Sequence, residues 1–579
     1  MELSDNALKV LRRRYLLKDE HGQVTETPEQ MFHRVAGYVA SADELYRDTT
    51  GSAQEFYSVM SNLEFLPNSP TLMNAGTRIK QLAACFVLPV GDSLDEIFGT
   101  LKSAAIIHQS GGGTGFSFSR LRPQGDIVGS TGGIASGPVS FMKVFDAATQ
   151  AIKQGGRRRG ANMGILRVDH PDIVDFITAK HEPGVLTNFN LSVGVSDTFM
   201  NAVEAGESYE LLNPRTGEIT RQKDAIEIFN LIAASAWESG EPGMLFLDRI
   251  NRDNPTPGQG MIEATNPCGE QPLLAYEACN LGSINLDKMV YGGSIDYDKL
   301  GRTVDIAVRF LDNVIDLEQF QLEQIDLMVR GNRKIGLGVM GFADMLIRLG
   351  IAYNSTEAVQ AAEEVMTFIC SRAVQASVEI AQRRGVFGNF KSSIYDISGR
   401  PEVRNATRIT IAPTGTISMI AGCSSGIEPI YAVSYVKTVM EGEKFVVTNP
   451  YFEQMARQEG FYSPELMERI ASKGSVQGMP DVPVAVQRLF VTSHDMGYEW
   501  HIRVQAAFQK YADNAVSKTI NFRHDSTKAD VARAFRLAYT LGCKGITVYR
   551  DRSRSEQVLT TVEDLMQDCE YCGAVLNPT

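Results

Sequence analysis

The residues Asn266, Pro267, Cys268, Gly269 and Glu270 form the stretch of this sequence where chemically active side chains lie closest together. An amide can hold a hydroxyl group, a thiol can do radical or nucleophilic chemistry, and a carboxylate can take up a proton. Extended backbone would place the side chains of Asn266, Cys268 and Glu270 on one side of the chain. For so short a motif, a tight turn around a buried cysteine is the simpler alternative.

Further cysteines could supply more thiols to the same chemistry. Cys279 follows shortly after Cys268, and Cys85 lies in the apolar run of residues 82–88, which predicts a buried strand. Taken alone, Cys85 is interpreted most simply as a packed core thiol. Cys569 and Cys572 form a C-x-x-C near the end of the chain, which is half of a zinc site or a mobile dithiol.

Composition and charge exclude several classes of protein. The chain has 579 residues, of which 43% are hydrophobic and 22% charged, and its net charge is −13. Without a long basic run it is not expected to bind nucleic acid. The sequence shows neither a long apolar stretch nor a signal peptide, so we expect no membrane association and a cytoplasmic location. In that reducing compartment the eight cysteines are expected to be catalytic, metal-binding or packed rather than a disulfide scaffold.

The elements around these residues suggest alternating strands and helices. Residues 1–84 show mostly helical periodicity. Residues 354–385 predict a long helix that begins with a capping box at Asn354 and Glu357 and ends at Gly385. Residues 545–549 predict a last buried strand.

Two glycine- and hydroxyl-rich segments could bind phosphate. Residues 108–164 contain neither a dinucleotide fingerprint nor a P-loop, and taken alone their glycines are better explained by flexible surface loops than by a phosphate site. Residues 408–412 predict a strand that runs into the loop 413–418 and a helix start. Such a loop can bind an anion through backbone N–H groups, although an ordinary strand–helix connection explains it equally well.

Taken together, these motifs make the sequence similar to the large subunits of ribonucleotide reductases. The similarity is greatest to the class II, adenosylcobalamin-dependent reductases, and it extends over roughly residues 5–555. The motifs that carry it occur in the same order as in that family: Asn68-Ser69-Pro70-Thr71, the Cys85 strand, Ser110-Gly111-Gly112-Gly113, Asn266-Pro267-Cys268-Gly269-Glu270, Ala278-Cys279-Asn280-Leu281 and Pro413-Thr414-Gly415-Thr416.

The resemblance implies an α/β fold, namely a ten-stranded α/β barrel with a central finger loop, preceded by a small and mainly helical N-terminal domain. We expect the helical domain at residues 1–84, the barrel at 85–555 and a flexible tail at 556–579. No metal site is expected within the barrel. Cys569 and Cys572 would form a zinc or redox site in the tail.

The resemblance also implies a role for each chemical group. Cys268 would be the thiyl radical at the tip of the finger loop, and Glu270 would take the proton of the 3′-hydroxyl group. Asn266 would hold the ribose hydroxyl groups. Cys85 and Cys279 would deliver two electrons and end as a disulfide, which thioredoxin or a similar dithiol would reduce.

The expected ligands are a ribonucleoside diphosphate as substrate and a deoxynucleotide as effector. Asp92 and Arg122 match effector-site positions, the segment Lys180–Asn190 resembles the loop that couples effector to substrate, and effector binding implies a homodimer. The residues expected to contact substrate are Ser69, Ala84, Cys85, Gly113, Asn266, Pro267, Cys268, Gly269, Glu270, Pro413, Thr414, Gly415, Thr416 and Ile417.

The radical source separates the main alternatives. Class I enzymes receive their radical from a second subunit through two adjacent tyrosines, whereas this chain has Val548 and Tyr549 at that place. Pro267 and Gly269 also favour class II, with adenosylcobalamin as cofactor. A class I large subunit remains the main alternative. A nucleotide sensor would not need the three thiols, and a cysteine hydrolase would need a histidine beside Cys268.

Overall fold

The computed structural model describes residues 3–47, 51–128, 132–152, 160–439, 443–553 and 559–560. Cys569 and Cys572, and with them the expected tail site, lie outside the described residues. None of the described helices is long and apolar enough to cross a membrane.

Ten strands form one mixed sheet. They are β1 (Phe65–Pro67), β2 (Cys85–Pro89), β3 (Gly113–Ser117), β4 (Asn162–Arg167), β5 (Phe189–Val195), β6 (Gly243–Phe246), β7 (Ala278–Asn285), β8 (Ile335–Met340), β9 (Thr519–Phe522) and β10 (Gly545–Arg550). Most of their residues are buried, as expected for strands covered on both faces. Shorter strands form separate small sheets: Ile127–Val128 with Gly133–Ile134, Ser208–Leu212 with Ile219–Asp224, Ala264–Thr265 with Pro272–Leu273, Val290–Tyr291 with Ser294–Ile295, and Ser434–Val439 with Glu443–Thr448 and Leu559–Thr560.

The large sheet closes into a barrel. Strands β2 to β6 run parallel in chain order, and β7 pairs antiparallel with β2 while β10 pairs antiparallel with β6. Strands β8 and β9 lie parallel to β7 and β10. Between them, Leu337 of β8 bridges Ile409, and Ile411 bridges Val516, just before β9. This ring confirms the predicted α/β barrel, although residues 408–412 contribute only these bridges and not the continuous strand we expected.

Helices connect the strands and cover the outside of the barrel. The described helices are Asp5–Arg14, Pro28–Ala40, Ser52–Ser61, Ser69–Asn74, Leu94–Ser110, Pro138–Ala151, Ile173–Ile177, Asp197–Ala205, Ala225–Ser239, Leu247–Arg252, Tyr297–Leu317, Glu323–Asn332, Phe342–Arg348, Thr356–Arg384, Ile394–Ile397, Ile417–Ala421, Pro450–Gln458, Pro464–Lys473, Val484–Leu489, Tyr498–Gln509 and Lys528–Thr540, with short 3-10 turns at Ser41–Tyr46, Pro257–Gln259 and Leu286–Met289. The long predicted helix begins one residue later than expected. Ser355 and not Asn354 is its N-cap, and Gly385 ends it as predicted.

The N-terminal helices pack against the barrel helix Tyr297–Leu317. Phe56 meets Phe310 of that helix edge to face at 5.1 Å between ring centroids. Beside this apolar contact, a buried ionic cluster contains Asp312 and Arg333, whose Oδ1 and Nη2 atoms are 2.8 Å apart. Arg384 joins the cluster to Asp43 of the N-terminal part. Apolar packing and buried charge therefore fix the helical segment on the barrel.

Candidate active site

The predicted motif at residues 266–270 forms the tip of a short hairpin. Ala264–Thr265 pairs with Pro272–Leu273, and within the tip the Gly269 N–H donates to the Asn266 carbonyl over 3.0 Å. Gly269 has a φ of 81°, a left-handed conformation that favours glycine. Of the two conformations considered for this segment, the structure has the tight turn and not the extended one, because a proline and a left-handed glycine bend it, although Cys268 is exposed and not buried.

The hairpin lies inside the barrel and is held from several sides. The hydroxyl of Thr410 and the N–H of Ala515 both donate to the Glu270 carbonyl, over 2.7 Å and 3.0 Å. From another strand, the Asn190 amide donates to the Pro267 carbonyl over 2.8 Å. Gly115 of β3 lies so close that an added Cβ would be 1.7 Å from the Thr265 carbonyl oxygen. The hairpin therefore has the position expected of a finger loop.

A cavity of about 210 Å³ lies at the tip of the hairpin. Its lining includes every residue predicted to contact substrate except Gly269. These are Ser69, Ala84, Cys85, Gly113, Asn266, Pro267, Cys268, Glu270, Pro413, Thr414, Gly415, Thr416 and Ile417. Sequence reasoning missed eight others: Asn68, Pro70, Gly112, Ala161, Leu281, Gly282, Ser283 and Ala412.

Two thiols, Cys85 and Cys268, line this cavity, and a third, Cys279, lies next to Cys85. Cys268 is exposed at the hairpin tip, whereas Cys85 and Cys279 are buried. Cys85 on β2 and Cys279 on β7 are direct partners in the antiparallel register, an arrangement that brings Cα atoms to about 4.5–5.5 Å. The fold therefore pairs two thiols that are distant in sequence and places the third at the tip of the hairpin.

The two buried thiols are held in the neutral form. Burial raises the pKa of Cys85 well above its ordinary value, and the negative charge of Glu270 raises it further. Burial also raises the pKa of Cys279, an effect that the positive charge of Lys334 partly offsets. Both groups are therefore protonated near neutral pH and can act as donors of hydrogen.

Asn266 and Glu270 are buried next to the thiols. The amide nitrogen of Asn266 lies 3.1 Å from Cys85 Sγ, and its oxygen accepts from the Gln271 N–H over 2.9 Å. Glu270 is 2% exposed and lines the cavity. An amide, a carboxylate and the two thiols Cys85 and Cys268 thus line one small volume.

The loop 413–417 forms the opposite part of the cavity wall. Thr414 has a φ of 52°, and its hydroxyl accepts from the Gly426 N–H over 2.7 Å. The backbone N–H groups of Thr416 and Ile417 donate to no other described residue. The following helix, Ile417–Ala421, has only five residues. Backbone amides rather than a helix dipole would therefore bind an anion here.

Two residues that support the site were missed by the sequence analysis. The side-chain oxygen of Asn68 accepts from the Thr71 N–H over 2.9 Å, while its amide nitrogen is buried and has no acceptor among the described residues. The carboxylate of Glu318 accepts from the N–H groups of Leu82 and Ala83, just before Cys85. Burial raises the pKa of Glu318 to about 8. Asn68 could have been found from the sequence, because an asparagine just before Ser69 is a typical helix N-cap. No local sequence pattern links Glu318 to Cys85.

The predicted effector residues lie outside this cavity and pair with each other. Arg122 Nε is 2.9 Å from an oxygen of Asp92. At the start of the expected coupling loop, Lys180 Nζ is 2.8 Å from Glu241. At its end, Asn190 reaches the hairpin through Pro267. The segment Lys180–Asn190 thus touches the hairpin tip directly.

The residues that line the cavity bear on the alternative interpretations. None of the described residues that line it is a histidine, so the thiolate partner that a cysteine hydrolase needs is not found there. Within the described ranges no group of three or more His, Cys, Asp or Glu side chains could hold a metal ion. Of the other described cysteines, Cys543 is buried, and Cys370 and Cys423 are partly buried.

Two family models match nearly the whole chain. The model described as "Ribonucleotide reductase, all-alpha domain" matches residues 1–80, and the one described as "Ribonucleotide reductase, barrel domain" matches residues 83–401 and 396–549. The chain belongs to the ribonucleotide reductase family. This confirms the resemblance inferred from the motifs.

Individual ribonucleotide reductases match over similar lengths. A vitamin B12-dependent ribonucleoside-diphosphate reductase of Thermoplasma acidophilum is 51% identical, covering 97% of this chain and 80% of the relative. One of Mycobacterium tuberculosis is 49% identical, covering 99% of this chain and 83% of the relative. The class Id ribonucleotide reductase alpha subunit of Actinobacillus ureae has the same fold, with a TM-score of 0.79, 24% identity and coverage of 95% of this chain and 97% of that one.

Proposed function

We propose that this chain is a vitamin B12-dependent ribonucleoside-diphosphate reductase. The observation that carries the proposal is the arrangement of three thiols: Cys268 is exposed at the hairpin tip and Cys85 lines the same cavity, while Cys279 is paired with Cys85 across two strands. The two relatives that are 51% and 49% identical bear that name. A radical reduction needs one thiol for hydrogen abstraction and two more for the electrons, and this site supplies all three.

The proposed reaction uses the three thiols in turn. Cys268, as a thiyl radical, takes the hydrogen atom from C3′ of the ribose. Cys85 gives a proton to the 2′-hydroxyl group, which leaves as water. Cys85 and Cys279 then supply two electrons and join in a disulfide, the thiol hydrogen that remains on the pair goes to C2′, and Cys268 returns its hydrogen to C3′. The buried, protonated state of Cys85 suits this proton transfer.

Asn266 and Glu270 serve the ribose hydroxyl groups. Glu270 takes the 3′-hydroxyl proton as the C3′ radical forms, since a carboxylate within the cavity is the available base. Asn266 orients the ribose by exchanging its contact with Cys85 for contacts with hydroxyl groups. Ser69, Ala84, Gly113, Pro267 and Gly269 shape the walls and the hairpin around the substrate.

The loop of Pro413, Thr414, Gly415, Thr416 and Ile417 binds the diphosphate through its backbone amides. Thr416 and Ile417 line the cavity, and their N–H groups make no hydrogen bond to a described residue. We place the catalytic barrel at residues 85–555, with the helical domain at 1–84 before it and the tail at 556–579 after it. Within the tail, Cys569 and Cys572 are proposed as a zinc or redox site.

The hairpin tip fits a bulky radical-generating cofactor. Cys268 is the exposed thiol of the three, and an added Cβ at Gly269 would meet no heavy atom within 4 Å. Pro267, Cys268 and Gly269 would therefore face the cofactor. When bound, adenosylcobalamin supplies a carbon-centred radical by homolysis of its cobalt–carbon bond. Cys268 would be the residue that gives up a hydrogen atom to start the reaction.

We propose that the effector and the second subunit bind away from the reacting groups. Asp92 and Arg122 would bind a deoxynucleotide effector, and Lys180–Asn190 would pass its effect to Pro267. On the helix that follows Asp92, Leu94 and Phe98 are one turn apart and strongly exposed, which supports a homodimer at this face. A thioredoxin-like dithiol would reduce the Cys85–Cys279 disulfide. The free cysteines of the described residues fit a reducing, cytoplasmic location.

The deciding experiment is deoxyribonucleotide formation by this chain alone. The assay contains CDP, dATP as effector, dithiothreitol and adenosylcobalamin without oxygen, with a control that lacks the cofactor. We expect product only with adenosylcobalamin. Product that forms only after a di-metal partner subunit is added would contradict the proposal and assign the chain to class I.

A further inference from the structure

A buried ion pair lies beside Cys279 and has no part in the reaction described above. Lys334 Nζ is 2.6 Å from Glu277 Oε2, and the two side chains are 2% and 1% exposed. The Glu277 carboxylate also accepts from the Leu274 N–H over 2.7 Å and from the Asn332 amide. The carboxylate therefore has three donors and is fixed in place.

Lys334 in turn borders the thiol. Cys279 donates to the backbone carbonyls of Asn280 and Lys334, at 3.2 Å and 3.6 Å. The ammonium of Lys334 has three N–H groups, and within the described residues its one hydrogen-bond partner is Glu277. The charge of Lys334 lowers the pKa of Cys279 against the effect of burial, and this is the largest charge effect on the thiol, although Glu277 and Glu270 act in the opposite direction. Cys279 and Lys334 directly precede Asn280 and Ile335, which pair in the parallel register of β7 and β8, so a thiolate at Cys279 would have the positively charged Lys334 as a cross-strand neighbour.

The environment of Cys85 differs in charge and in access. Its pKa is raised by burial and by the neighbouring Glu270, Cys268 and Cys279; the hydrogen bond from Asn266 lowers it, but no cation does. Cys85 lines the cavity, whereas Cys279 is not among the described residues that line it. A reductant that enters the cavity therefore meets Cys85 first, while the charge that stabilises a thiolate lies at Cys279.

We propose that the Lys334–Glu277 pair is a positioning device that makes Cys279 the leaving thiolate when the Cys85–Cys279 disulfide is reduced, so that incoming dithiols attack Cys85. The inference rests on the proposed function, in which these two cysteines form the disulfide. The inference adds a fixed direction to the thiol–disulfide exchange, with attack at Cys85. It assigns that direction to Lys334 and Glu277, which lie outside the cavity. Lys334 and Glu277 act through Cys279 and do not touch substrate.

The exchange balances with a dithiol as two-electron reductant. One thiolate of the dithiol attacks Cys85 Sγ, a new S–S bond forms, and the Cys85–Cys279 bond breaks with its electron pair on Cys279. The second thiolate then attacks the sulfur of the first in the mixed disulfide, which releases Cys85. Two protons, from the two thiols of the reductant, neutralise Cys85 and Cys279. In-line exchange of this kind is fastest when the leaving thiolate is stabilised.

The direction of attack can be read without turnover and without cofactor. The chain, with Cys569→Ser and Cys572→Ser to remove the tail thiols, is oxidised with diamide, and formation of the Cys85–Cys279 disulfide is confirmed by peptide mass mapping. The oxidised chain then reacts with 2-mercaptoethanol, and the reaction is stopped with acid and N-ethylmaleimide. We expect the mercaptoethanol adduct on Cys85 and the maleimide on Cys279. Adducts mainly on Cys279, or equally on both, would overturn the inference.

The role of the ion pair is tested by neutralising it. The double variant Lys334→Met/Glu277→Gln should reduce its disulfide roughly three- to tenfold more slowly and lose the preference for Cys85, since its leaving thiolate has lost its cation. Lys334→Arg keeps the charge and should keep the preference. A matched control is Lys518→Met/Glu428→Gln, which removes another lysine–glutamate pair whose lysine is buried and should exchange like the parent chain.

The outcomes separate this inference from the proposed function. If diamide forms no Cys85–Cys279 disulfide, the proposed electron-delivering pair is contradicted, and this inference falls with it. If the disulfide forms and the adduct lies on Cys279, only the inference fails. An unchanged preference for Cys85 in the folded Lys334→Met/Glu277→Gln variant would overturn the role of the ion pair. Should that variant not fold, the adduct position in the parent chain and in Lys334→Arg still decides the direction of attack.

Discussion

At the scale of single residues, the exposed sulfur of Cys268 distinguishes it from the other two site thiols. Cys268→Ser removes the weak S–H bond and keeps the size and polarity of the side chain. We expect deoxyribonucleotide formation to fall by roughly a thousandfold or more, while CDP binding stays within about twofold, since the cavity walls are unchanged. Product formation under anoxic conditions and equilibrium binding of CDP measure the two quantities.

The matched control for this substitution is Cys370→Ser. Cys370 is a partly buried thiol that does not line the cavity. Its replacement should leave turnover close to that of the parent chain. Full activity of Cys268→Ser would contradict the assignment of the radical to this residue.

At the scale of elements, the loop 413–417 depends on one side-chain contact for its shape. The hydroxyl of Thr414 accepts from the Gly426 N–H and holds the loop in an unusual backbone conformation, with φ at 52°. Thr414→Ala removes a hydrogen bond worth about 1 kcal/mol. We expect the KM for CDP to rise roughly fivefold with little change in kcat, because the loop binds the diphosphate and not the reacting carbon.

Thr414→Ser keeps the hydroxyl and tests whether the hydrogen bond is responsible. Steady-state kinetics of the two variants should show a normal KM for Thr414→Ser. A loss of kcat at unchanged KM in Thr414→Ala would show that the loop does not act through diphosphate binding.

At the scale of the whole molecule, buried charge fixes the helical segment on the barrel. Asp312 is fully buried and pairs with Arg333, Arg384 and Arg404. Breaking such a buried pair from one side costs about 3–5 kcal/mol, so Asp312→Asn should lower the free energy of unfolding by that amount in urea denaturation. The exposed pair of Asp305 and Arg372 provides the control, and Asp305→Asn should cost at most about 1 kcal/mol.

The same carboxylate predicts a pH dependence. Burial raises the pKa of Asp312, but Arg333 and Arg404 lower it more, so the net shift is downward from 3.8. The stability it contributes is therefore complete above pH 3.8 and is lost as the pH falls through the lower, folded-state pKa. Acid unfolding of the parent chain should be steeper than that of Asp312→Asn. Equal acid transitions would mean that the carboxylate is not charged in the folded protein.

Sequence reasoning succeeded where the signal was local or carried by whole motifs. The order of the motifs identified the family, and the residues expected around the substrate line one cavity, except for Gly269. Sequence reasoning failed where contacts between segments that are distant in the chain decide the local structure. The segment 408–412 pairs only at Ile409 and Ile411, and the support that Glu318 gives to the backbone before Cys85 joins residues that are 235 positions apart.

The sequence by itself determined the kinds of chemical group and the family in which they act, because residue types and motif order are written in it directly. Only the tertiary structure decided how those groups differ in exposure and in neighbouring charge. It exposed Cys268, buried Cys85 and Cys279 opposite each other, and placed Lys334 beside only one of them. The physical reason is that burial and electrostatic fields arise from strands that pair across the barrel. Cys85 and Asn266, for example, are 181 positions apart in the chain and 3.1 Å apart in space.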